Sequence, residues 1–573
     1  MNFNSSVEFH PKVWSALRHY SGKKFQADLV AGIVTGIVAL PLAIAFGIAS
    51  GVSPTVGLIT AIIGGFMVSA FGGNSVQIGG PTGAFIVIVY GIIARFGLEG
   101  LAVATFMAGL ILVMMGLFKL GTVIKFIPYP IVVGFTAGIA LTILTTQVND
   151  FLGLGLRDLP GEFLSKWGVY LHNLDRIDPA SLAVALTSLA IIIVTPRISK
   201  RVPGALTAII VVTAGVAVCR GYFPDLNVTT IGDRFGSMKT DLPEIHGFAL
   251  TMANINLLLP SAFTIAVLGA IESLLSATVA DGVTGSRTST NTELIGQGLA
   301  NIAVPFVGGI PVTGAIARTM TNITNGGRTP VAGIIHAAVL LLIYIFMMPL
   351  INYVPMACLA AVLVVVAYNM SGWRTIVAIF RNPKSDISVM IVTFALTVIF
   401  DLTIAIEIGL LLAIVLFLRR VMENTEIKVY SQQLDVAEGT DLDASHHEEL
   451  NLLPGVEVYE IDGPFFFGVA TKFDEMMRST PGEKPHVRIV RMRKVPFIDS
   501  TAIHNLEILI NSSQREGIHV VLSGVKENVR QTLVNAGIDR LVGADHICPH
   551  ISVAVEMANA IVARRDAAAA TLA

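Results

Sequence analysis

Apolar side chains run along this chain in blocks long enough to cross a bilayer, with polar residues at the block ends. Residues 29–94 contain no Asp, Glu, Lys or Arg, and neither do residues 329–373. A membrane helix needs about 20 predominantly apolar residues, so each run holds more than one span. The pattern predicts fourteen helical spans, at 27–50, 54–72, 80–95, 98–118, 123–147, 179–195, 203–219, 259–281, 292–307, 311–324, 329–350, 353–369, 385–401 and 403–420. Beyond residue 455 the period changes. Strands are predicted at Val456–Ile461, Phe465–Phe467, Val487–Met492 and His519–Leu522. Helices are predicted at Ala470–Arg478, Thr501–Gln514, Glu527–Ala536 and Ser552–Arg564. That alternation reads as a small soluble α/β domain. The acidic stretch 432–450 before it reads as an exposed linker. The plan is an N-terminal cytoplasmic segment (1–26), a transmembrane domain (27–420), a linker (421–454), the α/β domain (455–565) and a tail (566–573).

Composition agrees with a polytopic α-helical membrane protein. Of 573 residues, 53% are hydrophobic and 14% charged, against roughly 25% charged in soluble domains. Mean hydropathy is +0.73. The net charge of −2 gives no reason to expect an acidic partner such as nucleic acid. Cys219, Cys358 and Cys548 are few and far apart, and read as apolar fillers without a disulfide or metal framework. Residues 1–26 carry Lys12, Arg18, Lys23 and Lys24 without an apolar core, so they do not read as a signal peptide. Arg197, Lys200 and Arg201 follow the sixth span, Arg374, Arg381 and Lys384 the twelfth, and Arg419 and Arg420 the last. With the N-terminus inside, these clusters obey the positive-inside rule and place both termini and the α/β domain in the cytoplasm, at a cell (plasma or inner) membrane.

Two stretches break the apolar pattern in the same way. Gly79-Gly80-Pro81-Thr82-Gly83-Ala84-Phe85 and Gly308-Gly309-Ile310-Pro311-Val312-Thr313-Gly314-Ala315-Ile316 each follow an extended-looking piece and lead into a helix. A helix start offers free N–H groups and a partial positive charge. Two such starts in one membrane chain suggest broken helices facing a common anion site, as in transporters built from inverted repeats. The competing reading is that these glycines only permit close helix packing. The offset that carries Gly79 onto Gly308 carries Pro41 onto Ala270 and Ala43 onto Glu272. A proline-interrupted first span therefore corresponds to a glutamate-bearing eighth span.

These residues resemble a known family. Ile78-Gly79-Gly80-Pro81-Thr82-Gly83-Ala84, Ala270-Ile271-Glu272-Ser273-Leu274-Leu275, Asn291–Gly298 and Pro311–Thr319 are similar to the sulfate permease family, SulP or solute carrier family 26. Val495-Pro496-Phe497-Ile498-Asp499-Ser500-Thr501 resembles the STAS domain of sulfate transporters and anti-sigma factor antagonists. The resemblance implies seven-plus-seven inverted repeats, with a core of spans 1–4 and 8–11 beside a gate of spans 5–7 and 12–14. It also implies a homodimer that moves anions by an elevator-like shift of core against gate. Many sulfate-transporting members have Pro-Gln in the first span, where this chain has Pro41-Leu42. The bacterial branch it most resembles includes a proton-coupled dicarboxylate transporter.

The candidate substrate site is Gly80, Pro81, Thr82, Gly83, Ala84, Thr313, Gly314, Ala315, Ile316, Ala317 and Arg318, with Leu42 from the first span. Arg318 is the only charged residue between Leu294 and Gly327. An intramembrane cation is costly and reads as functional; the alternative is a structural pairing with a carboxylate. Glu272 is the candidate coupling group, with Ser276 one turn on as a further oxygen. Glu293 and Gln297, with Asn291 as a cap, read as helix capping and packing. His336 reads as a hydrogen-bonded structural residue. Asp401 and Glu407 receive no role. Ser500 and Thr501 are candidate regulatory residues for a cytoplasmic protein partner, although Asp499-Ser500 is also ordinary N-cap chemistry. No nucleophile–base set, metal-ligand spacing or phosphate loop appears, so neither an enzyme, a cofactor nor an ATP-driven pump is expected. The expected function is proton-coupled symport of a small anion such as sulfate, a dicarboxylate or bicarbonate. The rivals are sodium-coupled bicarbonate uptake, an anion channel, exchanger or motor, and a membrane-anchored signalling scaffold.

Overall fold

The structure is a computed structural model of the chain. It describes residues 9–18, 20–121, 128–156, 159–160, 162–198, 203–223, 227–236, 245, 247–249, 251–400, 402–430, 433–434, 450–470, 472–473 and 484–572. The chain divides into two compact units, Met1–Ala413 and Ile414–Ala573.

The first unit is helical, and each predicted apolar block lies on a helix. In chain order these are α1 (Lys12–Arg18), α2 (Gly22–Ala49), α3 (Pro54–Phe71), α4 (Ile86–Leu117), α5 (Tyr129–Leu152), α6 (Phe163–His172), α7 (Pro179–Ile198), α8 (Gly204–Tyr222), α9 (Ile231–Phe235), α10 (Met252–Thr284), α11 (Thr290–Ala303), α12 (Ile316–Thr324), α13 (Pro330–Ile351), α14 (Met356–Met370), α15 (Trp373–Ile379), α16 (Lys384–Ile399) and α17 (Leu402–Asn424). Among the described residues, nine helices are long and apolar enough to cross a membrane by length and composition. Gly97, at φ 69° and ψ −173°, separates two helical segments within α4. That position falls between the predicted spans 80–95 and 98–118. The amphipathic α6 and the short α9 and α15 were not anticipated; they are too short or too polar to stand out from the spans.

The helices pack in two groups. In one, α2, α3, α4, α10, α11 and α13 pack on one another; in the other, α5, α7, α8, α14 and α16 do so. Small residues allow close approach. A methyl group on Gly109 of α4 would sit 2.7 Å from the Gly298 carbonyl of α11, and one on Gly298 the same distance from the Gly109 carbonyl. Large apolar side chains such as Ile193, Val211, Leu342, Phe346 and Leu411 remain exposed on the outer helices. An apolar outer surface of this kind suits lipid and not water.

Asp28, near the start of α2, is fully buried. It accepts hydrogen bonds from the Arg328 N–H (3.0 Å), the Thr329 N–H (3.3 Å), the Thr329 hydroxyl (2.5 Å) and the Tyr20 hydroxyl (3.0 Å). A carboxylate at the N-terminus of α13 satisfies donors that the helix itself cannot. The spacing of apolar residues gave no hint of this tie between α2 and α13.

The second unit is α/β. A five-stranded sheet has the order β3 (Glu426–Tyr430), β6 (Val456–Asp462), β7 (Val487–Arg491), β8 (His519–Ser523), β9 (Ile547–Cys548). A separate two-stranded ribbon joins β4 (Gln433–Leu434) to β5 (Leu450–Asn451). β3 pairs antiparallel with β6, and the other neighbours are parallel. Strand parity sorts the core onto two faces. Val456, Val458, Val487, Ile489 and Val521 pack beneath the C-terminal helix Ile551–Leu572, while Tyr459, Ile461, Val490 and Leu522 face Leu506, Leu509 and Ile510 of the helix Ser500–Arg515.

Three expectations change here. The 421–454 stretch contributes the sheet's edge strand β3, so it is not only a linker. Phe465–Phe467 is not a strand: Gly463 (φ 128°) and Pro464 end β6, and Phe465 makes only an isolated bridge to Ile498. The tail from residue 566 continues the last helix as far as Leu572. Most of the predicted helix Ala470–Arg478, Asp401 and the side chain of Glu407 lie outside the described residues.

Candidate functional site

The two glycine-rich stretches meet. β1 (Gly79–Gly80) and β2 (Thr313–Gly314) form an antiparallel pair, with Gly79 opposite Gly314 and Gly80 opposite Thr313. Each strand leads into a helix start. After β1 comes a single 3₁₀ turn at Gly83–Phe85 that runs on into α4; after β2 comes α12. The first N–H groups of any helix have no partner within it. The Ala315 N–H is taken by the Ile78 carbonyl (2.9 Å), and the Phe85 N–H by Thr82 (3.3 Å). Among the described residues, this leaves the N–H groups of Gly83 and Ala84 at one start and of Ile316 and Ala317 at the other. Ile316 and Ala317 are exposed, whereas Gly83 and Ala84 are buried.

Polar side chains hold the crossing from behind, on both strands. Asn301 of α11 donates to the Val312 carbonyl (2.8 Å) and accepts from its N–H (2.9 Å). Thr60 of α3 accepts from the Ile310 N–H (3.0 Å). Ser273 of α10 accepts from the Gly314 N–H (3.1 Å). On the other strand, Asn322 of α12 donates to the Val76 carbonyl (2.8 Å), and Thr319 accepts from the Ile78 N–H (3.1 Å). Glu293 accepts from the N–H groups of Gly73 (2.8 Å) and Asn74 (3.0 Å) and from Gln297 (3.0 Å). All these side chains are buried.

Arg318 completes this frame. Its side chain is 1% exposed, and its guanidinium donates to the carbonyls of Gly79 (3.3 Å) and Pro81. No carboxylate lies within ion-pairing distance of it among the described residues. Gly80 has φ 147°, and a methyl group there would collide with the Arg318 guanidinium. Glycine at this position serves both the backbone conformation and the approach of the arginine. Glu272 reaches the next residue of the same segment: the Thr82 hydroxyl donates to its carboxylate (2.9 Å). Arg318 and Glu272 thus grip neighbouring positions of residues 79–82, one through backbone carbonyls and the other through a hydroxyl.

Other expected site residues lie differently. Thr313 is enclosed, sharing a hydrogen bond with Ser273 (2.7 Å) and donating to the Gly269 carbonyl (3.0 Å). With Gly314 bound to Ser273, β2 offers its polar groups to α10 and not to a ligand. Ser276 is buried and donates to Thr319 (3.4 Å). Leu42 packs among apolar side chains of both helix groups. Gly83 faces Met370 of α14 and Ile143 of α5 across the seam between the groups. Ser500 and Thr501 are exposed in the second unit, where Asp499 caps their helix through the Ala502 N–H (2.8 Å) and accepts from the Phe467 N–H (3.0 Å).

Two structural readings need correction. Asn291 does not cap α11, whose N-cap residue is Ser289; instead it accepts from the Gly121 N–H (3.1 Å). His336 is fully buried, but neither ring nitrogen has a hydrogen-bond partner among the described residues. Of the framing residues, Asn301, Asn322 and Thr60 escaped the sequence reading, while Ser273 and Thr319 entered it only within the family motifs and without a role. One signal was available: Arg318, Thr319 and Asn322 recur on one face of a short amphipathic helix set between apolar blocks.

Comparison with known proteins shows the family. Residues 25–393 match the model of the sulfate permease family, and residues 449–554 match the STAS domain. YvdB of Bacillus subtilis (strain 168) is 42% identical over 531 residues, covering 93% of this chain and 97% of that protein. The bicarbonate transporter BicA of Synechocystis sp. (strain ATCC 27184 / PCC 6803 / Kazusa) is 30% identical over 529 residues, covering 91% and 92%. The structure of SLC26A9 has the same fold, with a TM-score of 0.83 at 18% identity over 96% of this chain and 92% of that one. The transmembrane domain of a cyanobacterial BicA aligns with a TM-score of 0.59 at 28% identity, over 69% of this chain and 98% of that domain. With two glycine-led helix starts crossed inside a helical membrane unit and an α/β unit after it, the chain belongs to the sulfate permease family and carries a C-terminal STAS domain.

Proposed function

We propose that this membrane transporter couples the movement of a small oxyanion to protons, by shifting one helix group against the other. The observation that carries the reading is the paired grip on residues 79–82. Arg318 places a fixed positive charge beneath two helix starts, and Glu272 holds Thr82 beside the same N–H groups. An anion at the helix starts offsets the field of Arg318 and makes a proton on Glu272 more favourable; by reciprocity, the proton favours the anion. Fourteen spans in two inverted sevens, a homodimer and cytoplasmic termini at the cell membrane belong to the same proposal. The two packing groups support it, since their members are those expected of core and gate. The STAS surface around Ser500 and Thr501 is the proposed docking place for a cytoplasmic partner.

The anion reading is sulfate or bicarbonate, the second suggested by the name of the BicA relative, with dicarboxylates as a third class for the panel. Sodium coupling is the rival. It would draw on Glu272 and Ser276, but Ser276 is already bonded to Thr319. Uptake of labelled sulfate, bicarbonate and succinate into liposomes holding the full chain, with imposed pH or sodium gradients, separates these. Glu272→Gln mimics the protonated carboxyl. It is expected to keep anion exchange while losing acceleration by an inward proton gradient. A variant that still responds fully to the gradient would remove Glu272 from coupling, and a parent protein driven by sodium alone would favour the rival.

A further inference from the structure

A cavity of about 520 Å³ lies apart from the β1–β2 crossing. Ala49 from the end of α2, Tyr90 and Arg95 before the Gly97 break, Thr146 from the end of α5 and Phe400 after α16 all line it. Alternate crossings from the start of α2 bring all these ends to the face of the bundle away from that start. The cavity is therefore a mouth between the two helix groups. The amphipathic helix α6, in the connection between α5 and α7, closes one side of it. The Trp167 indole of α6 donates to Thr145 of α5 (3.2 Å) and pins the helix there.

Lys166 of α6 lines this mouth and is only 6% exposed. Its ammonium lies 5.5 Å from the centre of the Tyr90 ring, and no acceptor or carboxylate partners it among the described residues. A buried ammonium without an anion is expensive, and burial pulls its pKa below the usual lysine range. The charges on the cavity wall are Lys166, Arg95 and Glu162, a net of one positive. Glu162 is exposed and accepts from Ser165 (3.0 Å). The nearby hydroxyls of Thr142 and Thr146 donate to their own helix, to the carbonyls of Gly138 (3.0 Å) and Ile143 (2.7 Å). Lys166 is thus a buried donor available to a guest, on a wall that also carries Tyr90, Arg95 and Ser261.

We infer that this mouth is an outer anion subsite, in which Lys166 holds a small oxyanion before it passes to the helix starts at Gly83 and Ile316. The inference rests on the anion-transport reading and extends it to a second site that loads from one face only. A site confined to one face should affect uptake from that face alone. The test compares sulfate and bicarbonate transport by the full chain in right-side-out and inside-out membrane vesicles. Lys166→Met keeps the apolar stem and removes the charge. It is expected to raise KM about ten- to a hundredfold in the orientation that presents α6, as for loss of one charge-assisted contact. The other orientation should change by less than about twofold, and Lys166→Arg should stay near the parent in both. An equal rise in both orientations, or none in either, would overturn the subsite. If the parent moves neither anion, the transport reading fails and a second measurement decides the site. In a Cys219→Ser background that keeps Lys166, Ala94→Cys on the cavity wall is labelled with a membrane-impermeant thiol reagent. Slower labelling in millimolar sulfate or bicarbonate supports the subsite; an unchanged rate rejects it.

Discussion

At the scale of single residues, Arg318 has an observed role in holding residues 79–81 and a proposed role as substrate charge, and one substitution can separate them. The sequence reading set a substrate charge against a pairing with a carboxylate. The structure gives it backbone carbonyls instead, at Gly79 and Pro81. Removing it leaves two buried acceptors, at about 1–3 kcal/mol each. Arg318→Ala should therefore lower both thermal stability and anion affinity. Arg318→Lys keeps the charge but loses the planar fork. It is expected to unfold at lower temperature than the parent while retaining most of the anion affinity, measured by the anion's stabilisation of the purified protein. If Arg318→Lys binds as weakly as Arg318→Ala, the geometry of residues 79–81 matters more than the charge.

At the scale of elements, the 3₁₀ turn that opens α4 lies against the neighbouring helix group. A methyl group on Gly83 would stand 2.7 Å from the Met370 thioether and 3.3 Å from Ile143. Bulk at Gly83 therefore meets the seam and does not simply fill the space between the helix starts. Gly83→Ala should transport, because the flexible Met370 side chain can yield. Gly83→Leu should stop uptake in a folded protein by wedging the turn against α5 and α14. Adding Met370→Ala to Gly83→Leu should restore part of the uptake in liposomes. No restoration would place the defect in the turn itself.

At the scale of the whole molecule, the division into units predicts how the chain can be cut. β3 supplies a full edge to the second sheet, with five paired positions against β6. Ile427 of β3 belongs to the core beneath the sheet. A fragment from Glu426 to Ala573 should fold alone. One beginning at residue 432 exposes β6 and should melt lower, by about 2–4 °C for each kcal/mol lost in a domain of this size. Circular dichroism melts of the two fragments decide this. Equal melting temperatures would mean that β3 contributes little to the stability of the unit.

What the sequence determined by itself follows from short-range pattern. Long apolar blocks dictate membrane helices because an unpaired backbone group in lipid is costly. The Gly-Pro and Gly-rich breaks mark helix starts because their backbone preferences are local. The strand and helix periods of residues 456–564 largely emerged for the same reason. Tertiary structure alone decided which of these pieces meet. No spacing rule joins Asn301 to Val312 across a turn, Asn322 to Val76, or Asp28 to the start of α13, since each partner is fixed by the packing of other helices. The strand β3 was missed because five residues directly after the long helix α17 carry no alternation strong enough to separate them from a linker. Lys166 was passed over as one charge in a polar connection. Its burial arises only when Trp167 docks on Thr145 and α6 folds over the mouth between the two helix groups.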